Sequence, residues 1–307
     1  MAGLNKSVLC GLSVLICAVR AQAIDISLPP VNLGDTSFED GIAFPGWLAE
    51  ENVGYYHSGQ FTDHHGAAIP GSNQLTSVSA VTHVAYLSKW KLLGGFYGSE
   101  FLLPVADVDA NTSFGPKDRR QGLGDLVLSP VIIQWTDHHL LGMPSFHRFV
   151  ISVTLPTGTY DRDRAVNSGS NLVSINPYYA FTLIPTKNVE FSARLHLLWN
   201  SRNNDPFVGL GATSIQPGQA FHANYAVSSR IADGVRIGIN GYALQQFTAD
   251  KVNRHRQGNS EERVFGIGPG LKMSGHGVAL YINSYFESGA QNRPQGAKVV
   301  LRISKVL

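Results

Sequence analysis

Apolar and polar residues alternate along much of this chain. In Val189–Asn200, which reads VEFSARLHLLWN, Val189, Phe191, Ala193, Leu195, Leu197 and Trp199 are apolar, while Glu190, Ser192, Arg194, His196 and Asn200 are polar. A period of two describes a β-strand whose side chains point to opposite faces. Related segments predict about twelve strands, with ten or fourteen as alternatives, over 46–61, 75–89, 93–106, 123–135, 146–159, 172–184, 188–200, 219–231, 235–248, 262–273, 277–287 and 297–307. Phe149/Ile151/Val153/Leu155, Val173/Ile175/Tyr179/Phe181/Leu183, Val235/Ile237/Ile239 and Val299/Leu301/Ile303 mark clear apolar faces, predicted to meet lipid.

The connectors alternate in length. Short links fall at Trp90–Leu92, Pro185–Lys187, Ala232–Gly234 and Ser274–His276, with a medium one at Thr136–Ser145. Longer polar stretches occupy 62–74, 107–122, 160–171, 201–218, 249–261 and 288–296. Outer-membrane barrels have short periplasmic turns and long external loops, so with both termini periplasmic every long stretch lies outside. Interfacial aromatics agree, with Trp47, Trp90 and Trp135 predicted at the periplasmic rim and Tyr56, Tyr160, Trp199, Phe247 and Tyr285 at the external rim. The fold expected is all-β: a transmembrane antiparallel β-barrel over 46–307. Pro104, Pro130, Pro156, Pro177 and Pro269 fall within its strands, where each removes a ladder hydrogen bond and predicts a bulge or kink.

Two segments precede the barrel. Residues 1–23 carry a basic Lys6, an apolar run from Val8 to Val19 and the small-residue site Ala21-Gln22-Ala23, which predicts a secretory signal peptide cleaved after Ala23. Residues 24–45, IDISLPPVNLGDTSFEDGIAFP, are rich in turn formers and predict an extended periplasmic segment packed at the barrel base, with a pore-filling plug as the alternative.

Composition narrows the function. Both cysteines, Cys10 and Cys17, lie in the leader, and Ile16 before Cys17 does not suit lipidation. Loss of Lys6 and Arg20 leaves 22 basic residues against 22 acidic ones. No basic block with interleaved aromatics is present, which argues against nucleic acid as a partner. Beyond the leader there is no apolar run of the length a spanning helix needs. The mean hydropathy of −0.03 is uninformative, because alternation hides a lipid-facing surface.

Strand parity turns Glu100, Asp125, Arg148, Glu190, Arg194, His196, His222, Arg230, Arg236, Lys272, Glu287 and Arg302 toward the lumen. Mixed signs of this kind cross-brace a narrow barrel. Arg148, Arg194 and Arg236 are also candidates for a constriction, since a guanidinium fork grips carboxylates or phenolates; Glu190 and His196 share that path. Tyr178, Tyr242 and Tyr281 project inward too, offering aromatic faces with polar tips, either to solutes or as filling.

Asp63-His64-His65 and Asp137-His138-His139 each supply only part of a metal site, and Asp107-Val108-Asp109-Ala110-Asn111 lacks the glycine and terminal Glu of a calcium loop, so no metal and no cofactor is expected. The chain contains no His-x-Ser pair and no Gly-x-Ser-x-Gly elbow. Gly122-Leu123-Gly124-Asp125 and Gly266-Ile267-Gly268-Pro269-Gly270 lack the strand-turn-helix context of a dinucleotide site. No enzymatic activity is expected.

A series of motifs then becomes recognisable: Leu28-Pro29-Pro30, Gly34-Asp35, Phe38-Glu39-Asp40-Gly41, Lys91-Leu92-Leu93-Gly94-Gly95, Gly122-Leu123-Gly124-Asp125, Leu155-Pro156-Thr157-Gly158-Thr159-Tyr160, Asn176-Pro177-Tyr178-Tyr179-Ala180, Phe191-Ser192-Ala193-Arg194, Gln216-Pro217-Gly218 and Glu287-Ser288-Gly289-Ala290. In this order the chain resembles the outer-membrane transporter family named for the meta-pathway of phenol degradation. The resemblance implies an outer-membrane barrel that admits small hydrophobic or aromatic, phenol-like compounds passively, and it supplies no catalytic residue. One departure is the terminus, Lys305-Val306-Leu307, where many such barrels end in Phe for recognition by the assembly machinery. The partners expected are outer-membrane lipid, that machinery and the solute. The alternatives are a structural or adhesive barrel without transport, and a soluble periplasmic β-barrel or sandwich binder, whose strands would alternate as well.

Overall fold

A computed structural model describes residues 27–307; the leader and its cleavage site lie outside the described residues. Twelve strands close into one antiparallel barrel: β1 Gly46–Ser58, β2 Asn73–Leu92, β3 Gly95–Thr112, β4 Leu126–Leu140, β5 Met143–Leu155, β6 formed by Ser174–Ile175 and Tyr178–Leu183, β7 Val189–Asn200, β8 Ala220–Ala232, β9 Val235–Gln246, β10 Arg263–Gly275, β11 Val278–Gln291 and β12 Ala297–Val306. Each pairs with its neighbours in sequence, and β12 closes on β1 from Leu48↔Val306 to His57↔Ala297. Closure leaves no unpaired edge, a condition a sheet must meet to sit in hydrocarbon. No helix among the described residues is long and apolar enough to cross a membrane.

The short-turn rim follows from turn chemistry. Leu93-Gly94, Leu141-Gly142 and His276-Gly277 each join two strands with both turn residues at positive φ, between 50° and 79°. Such a turn matches the right-handed twist of a hairpin, and glycine takes its second position without strain. The medium link expected at Thr136–Ser145 is therefore only Leu141-Gly142, because β4 continues to Leu140 and β5 resumes at Met143. At the other rim, much of the loop expected over 107–122 is strand: β3 runs to Thr112, and Lys117–Leu123 folds back on it. Other long loops meet in a small sheet of Ile215–Gln216, Lys251–Val252 and His255–Arg256.

Of the five prolines expected to bulge or kink a strand, Pro130 and Pro177 interrupt the ladder and Pro104, Pro156 and Pro269 do not. The β4–β5 register shifts between Leu128 and Val131, across Pro130. Asn176-Pro177 splits β6, Pro156 lies past the end of β5, and Pro104 accepts the Gly124 N–H at 2.8 Å where the Lys117–Leu123 strand meets β4. Pro269 stays within β10 opposite Ile239.

The apolar faces are outside. Phe101, Leu128, Ile151, Leu195, Leu197, Ile237, Ile239, Ile267, Ile282, Leu301 and Ile303 are all exposed, on eight different staves. A belt of this extent would aggregate in water and is stable in lipid. Trp47 and Tyr86, with ring centroids 4.7 Å apart, join Trp90, Tyr97 and Trp135 at the short-turn rim. Trp199 and Phe247 are exposed near the long-loop rim. Tyr56 and Tyr285, expected in that outer girdle, instead point inward: Tyr56 donates to Glu287 Oε2 at 2.8 Å, and Tyr285 is fully buried.

Candidate functional site

The interior is lined by polar side chains, as parity requires. In β7, Glu190, Ser192, His196, Leu198 and Asn200 are buried and Arg194 is half-buried, while Leu195, Leu197 and Trp199 are exposed. One face of the stave thus brings charge into the lumen and the other carries the apolar belt. The inner faces of the other staves do the same for Asn52, Glu100, Gln134, Arg148, Tyr178, Asn224, Arg236, Tyr242, Tyr281, Asn283 and Arg302.

The centre of the lumen is taken by residues 27–45. This differs from the packing at the barrel base expected of this segment. It is bound along its length to the inner faces of opposite walls. From the β1 start, the Gly41 N–H donates to Thr182 Oγ1 at 2.9 Å and Gln134 Nε2 donates to the Gly41 carbonyl at 2.9 Å. Asn283 Nδ2 donates to Ser37 Oγ at 3.1 Å, the Tyr285 hydroxyl to the Gly34 carbonyl at 2.7 Å, and the Gly34 N–H to Asn224 Oδ1 at 2.8 Å. At the long-loop rim the Leu28 N–H donates to Glu262 Oε1 at 2.7 Å. A segment without ladder partners leaves amides and carbonyls unsatisfied, and the wall side chains meet several of them. Gly34, at φ 84°, passes so close to the Tyr285 ring that a Cβ would lie 2.7 Å from it.

Charge binds the segment more tightly. Asp40 receives Arg194 through both Nε at 2.8 Å and an Nη at 2.5 Å, and Arg148 lies 3.4 Å from the same carboxylate while donating to the Asp40 carbonyl at 2.6 Å. Glu39 meets Lys272 and, at 3.6 Å, Arg236; Asp35 receives Lys298 at 2.6 Å. A planar guanidinium fork on a carboxylate is among the strongest hydrogen-bonded pairs available.

All eight path residues expected from the sequence lie on the lumen side. Arg148 and Arg194 converge on Asp40, and the Arg194 guanidinium stands 4.4 Å above the Tyr178 ring. Tyr178 donates to Glu100 Oε1 at 3.2 Å and packs 4.9 Å from His196, itself stacked on His222 at 4.1 Å. Glu190 accepts from Ser192 and Ser228, and Arg236 donates to Ser228 at 3.0 Å. Tyr281 lies under Arg302, 3.7 Å from its ring centroid, with Lys272 at 5.1 Å. Tyr242 belongs to a separate cluster nearer the long loops, where it and Tyr56 both donate to Glu287. Arg230, also turned inward by parity, is exposed at the short-turn rim beside a bulge, and Asp125 instead ties the outer loops, accepting the Gly158 and Ser170 N–H groups.

Sequence reasoning missed the segment's own Asp35, Phe38, Glu39 and Asp40, and with them Glu50, His83 and Lys298. A signal was available: residues 24–45 hold four acidic side chains and no basic one, so the barrel itself has the basic excess. Glu50 and Glu100 share His83, at 2.7 and 3.0 Å, across β1, β2 and β3.

Among the described residues no group of three or more metal-ligating side chains converges. Asp63 caps its own loop by accepting the His65 and Ala67 N–H groups at 2.9 Å, and Asp107 is held by Arg119. At the long-loop end a groove lies between Phe114, Lys117 and Asp118 on one side and Arg164, Phe207 and Gly209 on the other.

With this geometry in place, comparison with known proteins is informative. The structure of the COG4313 outer membrane channel from Pseudomonas putida F1 superposes with a TM-score of 0.78 at 16% identity, covering 91% of this chain and 100% of that one. The beta domain of the Bordetella autotransporter BrkA gives 0.50 at 12% identity, over 86% of this chain and 100% of its own. At these identities the likeness is one of fold. No curated protein matches the sequence significantly. A family model described as "Putative MetA-pathway of phenol degradation" matches residues 58–303, and the chain belongs to that family.

Proposed function

We propose that this protein is an outer-membrane channel for passive uptake of small aromatic, phenol-like compounds. The observation that carries the reading is the way the lumen is filled. Wall side chains alone fill a barrel of about eight strands, and the interior widens with strand number. Here the wall leaves room for an extended segment that adds no strand to the ladder and is held by side chains alone. Such a filler can leave without breaking the barrel. The cavity it occupies is lined by Tyr178, Tyr242, Tyr285 and Tyr281; the hydroxyls of the first three are hydrogen-bonded, the Tyr281 ring lies under Arg302, and such rings offer stacking faces. The outer groove at Phe114 and Phe207 is a first contact for a solute arriving from outside.

The family's description in terms of phenol degradation, and the channel whose fold this chain shares, support the same reading. A soluble binder is disfavoured by the exposed apolar belt. Uptake of radiolabelled phenol at limiting concentration, by cells with and without the gene, tests the proposal. Faster uptake with the gene is expected; equal uptake would contradict it.

A further inference from the structure

The segment and the wall are complementary in charge. Arg148 and Arg194 form ion pairs only with Asp40, Lys272 and Arg236 only with Glu39, and Lys298 only with Asp35, among the described residues. Of the neighbouring wall carboxylates, Glu50 is engaged by His83 and Arg302, Glu100 by His83, and Glu190, close to Arg236, by the Ser192 and Ser228 hydroxyls. If the segment left and nothing replaced it, five cations would face one another in a narrow space. A wall with such a local excess of positive charge attracts anions into the vacated lumen.

The place at Asp40 adds an apolar half to this demand. Phe38 is 1% exposed and packs on Tyr281 and Ala226. Ala226 is the next inward-facing residue along β8 from Asn224, which pairs with Arg194. Two residues apart on the segment, an aromatic ring and a carboxylate thus enter the lumen together, the ring on Tyr281 and Ala226 and the carboxylate in the Arg194 fork over Tyr178. Both ring nitrogens of His196 and the Nε atoms of Arg148 and Arg302 are buried nearby without a hydrogen-bond partner among the described residues. The wall thus has polar capacity beyond what the segment uses.

We propose that the place held by Phe38 and Asp40 is a solute site for aromatic carboxylates, which the segment occupies as an internal competitor. The proposal rests on the channel reading above and sharpens its substrate class from neutral to anionic aromatics. Arginine suits the role because its planar fork binds a carboxylate through two parallel hydrogen bonds, which a neutral alcohol does not reproduce.

The test uses the purified full-length chain in detergent, with 4-fluorobenzoate and 4-fluorobenzyl alcohol followed by fluorine NMR titration. Saturable binding of the carboxylate, at least tenfold tighter than the alcohol, is expected. Asp40→Asn removes the competing charge and should tighten fluorobenzoate binding at least tenfold, a gain that a misfolded barrel does not produce. Arg194→Gln should weaken it at least tenfold. Equal binding of the two probes, or an Asp40→Asn variant no tighter than the parent, would overturn the proposal. Phenol uptake separates the two failures. If uptake depends on the gene while fluorobenzoate does not bind, the carboxylate site falls and the channel stands; if neither holds, both fall.

Discussion

Replacing Gly41 by alanine isolates the segment from the barrel. The new Cβ would lie 2.4 Å from the Thr182 nitrogen and 2.5 Å from the Phe181 carbonyl carbon, both of them backbone atoms of a stave paired on either side. Carbon contacts are comfortable near 3.5–4.0 Å, so Gly41 must retreat by roughly 1 Å. That retreat breaks the two hydrogen bonds at Gly41, from its own N–H to Thr182 and from Gln134 to its carbonyl. Overpacking of this kind costs about 1–3 kcal/mol, and the two lost bonds add about 1 kcal/mol each. A total of about 3–5 kcal/mol moves the balance between seated and displaced segment by roughly two to four powers of ten, at about 1.4 kcal/mol for each tenfold. No residue of 27–45 belongs to the strand ladder, so the barrel should still form and still migrate anomalously on gels before boiling. Planar-bilayer recording of Gly41→Ala against the parent is the assay, with larger or more frequent conductance expected. A correctly folded Gly41→Ala barrel with the parent's conductance would refute the argument that the segment closes the lumen.

Other outcomes follow from the same geometry. Leu301→Arg, in the apolar belt on β12 opposite Val53 and Ile282, should cost about 2–4 kcal/mol if that residue lies near the bilayer midplane; urea titration of folding into phospholipid vesicles measures it, and an unchanged midpoint would place that face away from lipid. In the loop between β9 and β10, burial pushes the Asp250 carboxyl up from 3.8 to about 7, reinforced by the Glu262 charge and opposed by the donors Gly218, Gln246 and Ser260. A raised acid keeps its proton in the folded loop while the unfolded chain releases it, so loop stability falls as pH rises from 3.8 to about 7 and is level above that. Hydrogen-exchange protection of 249–262 should be higher at pH 5 than at pH 8, and Asp250→Asn should reduce the difference, leaving the part due to Glu262, which shifts in the same direction.

The legible part of the molecule was the wall. Strand number, closure, the alternation of turns and loops, and the inward positions of Arg148, Arg194, Arg236, Glu190, His196, Tyr178, Tyr242 and Tyr281 all follow from a period of two, because parity is a local property of each stave. Strand ends were less legible where hydrogen bonding outlasts the amphipathic pattern, as in β3 and at Leu141-Gly142. Tyr56 and Tyr285 were misplaced because a tyrosine near a rim suits a lipid interface and a lumen carboxylate equally well. The seat of residues 27–45 was hidden for a different reason. The segment has no periodicity, and its wall partners are 93 to 265 positions away, from Gln134 and Gly41 to Lys298 and Leu33. Its one local clue is acidic charge without a basic residue, and that acquires meaning only when set against the basic excess of the wall.

A cysteine pair tests most directly whether residues 27–45 sit in the lumen as a removable filler. Ser37 and Asn283 are hydrogen-bonded at 3.1 Å across the interior, and the described residues contain no cysteine. The double variant Ser37→Cys, Asn283→Cys should form an intrachain disulfide on mild oxidation, give the lowest bilayer conductance of any form, and recover conductance on reduction. Failure of the pair to cross-link in a folded barrel, or conductance indifferent to the bond, would contradict the account.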